Sequence, residues 1–517
     1  MKKKIIYIYI IFFTITFSIQ LFSNDLLGVD AFFHSKYSKI MFEENISDNF
    51  PWLYYTDLNN NFSDQRYLFH VTMHPFTYFN FPLNLKIFIS LFSALFFTLF
   101  YYILNKLNIK KPEIWLFILL FSSSLFLFRL QLARPLLFTL SLSIIGIYII
   151  LKQKKWLLLL WPILFILSSY GSIFIISIIV GSYLLTKLVI EKRIDWQIIL
   201  ITMSGCILGL LFHPETSNFV NLIINNYTSG LSSFNNLNIL IPIELENLNF
   251  LALLVTSLPI FLLIISLITL FLLKIFFKVE IELKNKINYY FLLLLSLIFI
   301  MLTIKYNRFI EYLAPILILS VAYIYKISMN IPEINEYIKK IYNKLNNLSF
   351  KLIITLTTLS LIFLPLKQIY TDYKTTNSIE TFKETAIWLN KNTPSESIVF
   401  NTSWDAFPRL FFYNHHNYYV VGLDPIFLYN YNNKMYYLWH NISTKQCALD
   451  SKIDECPENK KTAKAIADSI LNSFNSEYIW LSKINKSYLK LSNILNNNSD
   501  YFELMIETND SIVYKIN

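Results

Sequence analysis

Residues 105–155 read NKLNIKKPEIWLFILLFSSSLFLFRLQLARPLLFTLSLSIIGIYIILKQKK. Two apolar runs, 113–129 and 135–151, lie between the basic clusters NKLNIKK and KQKK, while the short link between them ends in Arg134 and Pro135. A helix needs roughly 17–25 mostly apolar residues to cross the hydrocarbon core. The same pattern continues in both directions. Runs near that length recur at 5–22, 85–104, 156–170, 172–190, 196–212, 250–273, 289–304, 309–327 and 351–367, predicting about eleven spans in all.

The whole composition agrees. Of 517 residues 55% are hydrophobic and 15% charged, where a soluble domain carries about a quarter charged. The net charge of +10 raises the question of nucleic acid, and the placement of the charges answers it. Basic residues gather at the N-terminal KKK, at 105–111, 152–155, 191–193, and between Lys274 and Lys286 and Lys326 and Lys351; the loop from His213 to Phe250 has none. Alternation of this kind follows the positive-inside rule. It predicts a multi-pass inner-membrane protein with a cytoplasmic N-terminus, with 23–84, 213–250 and everything after about 368 outside, and no nucleic-acid partner. The N-terminal run is long and lacks an A-x-A cleavage site, so it reads as an uncleaved first helix.

All seven histidines fall on the outer side of this topology. The first outer loop, 23–84, holds two related stretches, GVDAFFH at 28–34 and DQRYLFH at 64–70. Phe32, Phe33, Tyr37, Ile40 and Met41 recur at helical spacing with Lys36 and Lys39 on another face, predicting an amphipathic helix along the membrane surface. Taken alone, Asp30 and Asp64 read as helix caps. The return of Asp with a following aromatic-rich turn and His, in one loop, makes them a candidate pair. Asp30 and His34, four apart, share a helix side.

VDAFFHSKY at 29–37, QLARPLLFTLSLSI at 131–144, LGLLFHPETSNF at 208–219 and KYNRFIEYLAP at 305–315 together resemble, in order and placement, the GT-C superfamily of membrane glycosyltransferases. That superfamily includes oligosaccharyltransferase catalytic subunits, protein O-mannosyltransferases and the aminoarabinose transferase of lipid A. The resemblance implies a GT-C-like transmembrane domain at 1–367 and an extracytoplasmic α/β domain at 368–517. It also implies transfer of a sugar from a polyprenyl-phosphate-linked donor to a lipid, glycan or protein acceptor, and Asp30 as the base. Asp64 is the second candidate catalytic residue. His34, His70, Arg308, Arg134 and Asp405 are candidate substrate-binding residues, with Arg308 the first choice for phosphate because a guanidinium offers planar paired donors.

Chemistry fits the location. Nucleotide sugars are absent outside the cytoplasm, and the chain carries no Gly-rich phosphate loop. Inverting transfer needs a carboxylate for the acceptor proton and a cation for the departing phosphate. No cofactor is certain. Oligosaccharyltransferase-like members hold a divalent ion, Mg or Mn, through an acidic pair in the second outer loop, but FRLQLARP at 128–135 has no acid. Glu244 and Glu246 in PIELENLNF are the substitutes on offer, and a metal-independent reaction is favoured.

After Tyr370 the chain turns polar. TFKETAIWLNKNT, AFPRLFFYN and YLKLSNIL read as helices, and SIVF, YYVVGLD, SEYIWLS and SIVYKIN as strands, an α/β alternation. Trp404, Asp405 and Asp424 sit in NTSWDAFPRLFFYNHHNYYVVGLDPIFLY, where acceptor contact competes with capping and turn roles. Cys447 and Cys456 are close enough in sequence to pair in an oxidising compartment. The residues leave a second reading open, a non-catalytic GT-C-like or transporter and flippase-type protein of surface-polysaccharide assembly. Against a transporter, the spans are largely uninterrupted by charge, Gly or Pro.

Overall fold

The computed structural model describes residues 2–44, 46, 48–224, 254, 256–278, 281–345, 348–453, 455–484 and 489–517. Six helices among these are long and apolar enough to cross a membrane, or eight if two sharply bent pairs each count as one span. The chain is thus a polytopic helical membrane protein, with six to eight full spans among the described residues where eleven were expected along the whole chain. Two expected spans, Leu136–Leu151 and Leu157–Ser168, are short helices. Of the others, one is broken within its length, and another, 196–212, is followed by a sharp bend. The run at 113–129 divides into Pro112–Leu120 and Ser124–Leu130, which meet at 91°.

Serines make that break. The Ser122 hydroxyl donates to the Leu119 carbonyl, and the Ser123 hydroxyl accepts from the amides of Leu125 and Phe126, so one side chain closes a helix and the next caps another. The second bend, 116° between Trp196–Leu211 and Thr216–Ile224, falls at His213-Pro214, where proline cannot continue the helix.

The spans pack through aromatic rings and small hydroxyls. Phe12 of the helix Lys2–Gln20 stacks on Phe97 of Leu83–Lys106 at 4.3 Å. Ser296 donates to Ser320 at 2.8 Å between Leu283–Lys305 and Ile310–Met329. The helix Leu348–Thr375 contains the expected last span, and the expected domain boundary at 367/368 falls inside it.

Beyond it lies a five-stranded sheet of β1 (Ile398–Asn401), β2 (Tyr418–Tyr419), β3 (Tyr478–Ser482), β4 (Phe502–Glu507) and β5 (Ser511–Ile516). Its order is β2-β1-β3-β5-β4, with β1 parallel to β2 and β3, and β5 antiparallel to β3 and β4. The α/β alternation expected from sequence is present; β4 is an addition, and β2 is shorter than YYVVGLD suggested. Cys447 and Cys456 are joined as a disulfide.

The segment 23–84 is not a free loop. It continues the sheet unit: Leu53 bridges Tyr419 in parallel, the Tyr419 amide donates to the Trp52 carbonyl at 2.8 Å, and Trp52 Nε1 donates to the His415 carbonyl at 2.7 Å. Phe33, Tyr37, Phe50 and Trp52 share one buried core with Phe407, Leu410, Phe411, Trp480 and Val513. The helix Asp30–Glu43 forms as predicted, but its aromatic face is covered by protein. Phe33 and Phe50 lie 6.0 and 5.4 Å from Phe411, so the aromatic face expected against the membrane surface packs on the sheet unit. Burial of those rings, at about 25 cal/mol per Å² of apolar surface, is what fixes the helix against the sheet unit.

Candidate functional site

A cavity of about 190 Å³ opens where the segment 23–84, the spans and the sheet unit meet. Asp30, Asp64, Arg66, Tyr170, Arg308 and Asp424 are among the residues that line it.

Asp30 reaches it through Gly28. That residue has φ +75°, a conformation that costs side-chain-bearing residues about 1–2 kcal/mol, and a Cβ there would sit 3.0 Å from Leu132. The turn therefore lies directly against the segment 128–135. Asp30 then starts the helix Asp30–Glu43 as its first residue, with Val29 at the cap position. Its carboxylate points across to Arg134, Oδ2 to Nη2 at 2.6 Å. The capping role is not the one Asp30 fills.

Asp64 does fill a local role with one oxygen, Oδ1 accepting the Arg66 amide at 2.9 Å. The other, Oδ2, accepts from His70 Nδ1 at 2.7 Å. His70 Nε2 lies 2.8 Å from His34 Nδ1, and His34 Nε2 lies 3.0 Å from Arg66 Nη1. His34 and His70 are buried. Burial, reinforced by the positive charge of Arg66, holds the His34 ring well below the ordinary histidine range, so it is neutral near pH 7. Of the two histidines expected to contact substrate, His70 is among the residues lining the cavity while His34 shows no exposed surface, and both ring nitrogens of each face protein partners.

Arg308 lines the cavity and stands 3.7 Å from Glu311, which also lies 3.9 Å from Arg129. Asp405 is not brought in. It is exposed and accepts from the neighbouring Ser403 hydroxyl. Asp424 lines the cavity in its place, carried by GLDP. Gly422 packs against Phe407 so closely that a Cβ would fall 2.3 Å from the ring, and Leu423 takes φ +61°. Asp424 Oδ1 accepts from the Ile426 amide at 3.0 Å, while burial pushes its carboxyl up to about 6.

Arg66 and His213 were not singled out as site residues by the sequence. Arg66 stood in the quoted DQRYLFH, and His213 in the helix-breaking HP. The bend at Pro214 turns His213 inward, where Nε2 donates to the Asp64 carbonyl at 2.9 Å and the ring stacks on Phe219 at 4.0 Å.

Among the described residues no group of three or more His, Cys, Asp or Glu side chains is placed to hold a metal. The segment 128–135 presents Arg134 to Asp30, where an acidic pair would have to present a carboxylate. The described donor set therefore does not fit a metal centre of the oligosaccharyltransferase type; Glu244 and Glu246 lie outside the described residues.

The helices, the segment 23–84 and the α/β unit that meet at the cavity make up a polytopic helical membrane fold with an α/β unit after its last long helix. Two solved structures share it. The Archaeoglobus fulgidus oligosaccharyltransferase in its apo form superposes with TM-score 0.65 at 10% identity, over 97% of this chain and 73% of that chain. The oligosaccharyltransferase AglB of the same organism, in complex with an inhibitory peptide and a dolichol-phosphate, gives 0.64 at 10% identity and the same coverage. No protein-family model and no curated protein matches the sequence.

Proposed function

We propose that the protein is an inverting glycosyltransferase, moving a sugar from a polyprenyl-phosphate carrier to a cell-envelope acceptor at the outer face of the inner membrane. The observation that carries this reading is that Asp30, itself paired with Arg134, lines one cavity with Arg308, within a fold that AglB also has, and AglB has been seen with a dolichol-phosphate. The absence of Lys and Arg from 213–250, against the basic clusters elsewhere, supports the outward orientation.

The acceptor hydroxyl oxygen attacks the anomeric carbon from the face opposite the phosphate. Asp30 takes the hydroxyl proton as the new bond forms. The bond from the anomeric carbon to the phosphate oxygen breaks through an oxocarbenium-like state, and the electron pair leaves on the polyprenyl phosphate. Arg308 stabilises that charge as it develops, while Arg134 binds the donor phosphate alike before and during transfer. Fixed guanidinium groups suit this task because they are in place before the charge develops.

The test compares the intact mass of envelope glycans from a strain lacking the protein with strains complemented by the wild type or Asp30→Asn. A sugar missing in the deletion and in Asp30→Asn, but restored by the wild type, is expected. An unchanged profile on deletion overturns the reading. Full restoration by Asp30→Asn points instead to a non-catalytic role in polysaccharide assembly.

A further inference from the structure

Asp64, His70, His34 and Arg66 form a closed hydrogen-bonded ring, because the chain of side-chain contacts that leaves Asp64 through His70 ends on Arg66, whose own amide returns to Asp64. The two ends fix every proton between them. An arginine side chain only donates, so His34 Nε2 accepts and His34 Nδ1 carries the proton. His70 Nε2 then accepts, His70 Nδ1 donates, and the Asp64 carboxylate, which only accepts, closes the series. Both histidines are neutral in this arrangement, which agrees with the burial of His34.

The backbone of the ring is held as firmly as its side chains. His213 donates to the Asp64 carbonyl, the Tyr170 amide donates to the Gln65 carbonyl at 3.1 Å, and Asn218 donates to the Phe62 carbonyl at 3.2 Å. Three such bonds, from Tyr170 and from the bend that carries His213 and Asn218, exceed what a short helix Tyr67–Met73 requires. The turn places Arg66 among the residues lining the cavity, beside Asp64 and Gln65.

We propose that Arg66 binds the phosphate of the lipid carrier, and that Asp64, His70 and His34 are positioning residues that aim its guanidinium. This rests on the reading of the cavity as a lipid-phosphate site. It assigns Asp64 a role different from direct catalysis: its charge acts two rings away, by selecting which histidine nitrogens carry protons.

Asp64→Asn isolates that action, since it keeps the shape and changes one acceptor oxygen into an NH₂. If the remaining oxygen keeps the Arg66 amide, the NH₂ faces His70 Nδ1, which must give up its proton. His70 Nε2 and then His34 Nε2 become donors, and the last of these meets the Arg66 donor head-on. An isosteric change thus dislodges a guanidinium it does not touch.

The experiment uses the full-length protein in detergent, with undecaprenyl phosphate as the probe and tryptophan fluorescence as the readout. Charge-assisted hydrogen bonds of this kind predict that Arg66→Gln weakens binding roughly 10- to 100-fold. Arg66→Lys, which keeps the charge but loses the planar fork, should fall between. Asp64→Asn should lose nearly as much as Arg66→Gln, and the double variant no more than Arg66→Gln alone, because coupled residues are non-additive. A structural role for Asp64 independent of Arg66 would give additive losses, overturning the positioning claim. Equal binding by wild type and Arg66→Gln overturns the Arg66 assignment alone. No binding by the wild type overturns it together with the lipid-phosphate reading.

Discussion

Asp30→Asn and Arg134→Gln separate a proton acceptor from a mere partner. The two side chains meet at 2.6 Å but are 32% and 22% exposed, so solvent screens the pair and its contribution to stability is about 1 kcal/mol. If Asp30 serves only to hold Arg134, either substitution forfeits the same contact. Both should then slow transfer to a similar degree, and the double variant should match the singles. If Asp30 removes the acceptor proton, Asp30→Asn loses a general base, roughly a 10²- to 10⁴-fold fall in kcat, or about 3–5 kcal/mol of barrier. Arg134→Gln, which leaves that carboxylate in place, should stay within about tenfold in kcat and show its main effect on the KM for donor. The assay is transfer from a synthetic polyprenyl-phosphate sugar to envelope acceptor, with donor varied at saturating acceptor. A kcat for Asp30→Asn within tenfold of Arg134→Gln would refute the assignment of the base.

Four further outcomes follow from other parts of the structure. Asp424 has its carboxyl raised from 3.8 to about 6, so the folded state holds the proton more tightly and stability falls as pH rises across that window. Asp424→Asn should flatten the dependence of melting temperature on pH there; an unchanged slope counts against the buried carboxyl. His415 gives the opposite sign: burial and Lys36 lower its ring to about 4, leaving it neutral 3.7 Å from Glu44, so stability drains as pH falls from 6.5 toward 4 and His415→Gln should remove that loss. Trp52→Ala deletes a buried ring and its bond to the His415 carbonyl, costing about 3–5 kcal/mol. Limited proteolysis should then cut within 368–517 sooner than in the wild type, and an unchanged rate would show that the joint lies elsewhere. Finally, with Arg134 facing Asp30, transfer should survive EDTA; loss of activity restored by Mg or Mn would place a resident metal in the reaction.

The membrane character and the helix at 30–43 were legible because each rests on a long or periodic signal. Breaks inside apolar runs were not. Hydropathy averages across FSSSLFLF, although Ser122 and Ser123 are the residues that close one helix and cap the next. Asp30 and Arg134 were both identified, through resemblance to a family, yet nothing in the spacing of residues 30 and 134 says that they meet. Arg66 was passed over although it lies between Asp64 and His70, since a tally of Asp and His pairs omits the cation they serve. Asp405 was favoured over Asp424 within one dense passage; which of two acids faces a cavity depends on the turn at Leu423, and that is a tertiary matter. The sheet was legible except for β4, an edge strand whose exposed residues Glu503, Leu504 and Glu507 do not alternate, a pattern that fits a loop equally well.

The joint between Trp52 and His415 spans 363 residues, and that separation sets an order of events during synthesis. The helix carrying Asp30 leaves the ribosome early, but Phe407, Phe411, Trp480 and Val513, which cover its aromatic face, arrive only near the end of translation. Until then its rings have lipid, water or a chaperone for company. A chain stopped anywhere before β1 would hold Asp30 and Arg134 yet lack the surface that braces them. The enzyme reading thus carries a safeguard, since an unfinished copy in the membrane has no assembled cavity with which to consume carrier lipid.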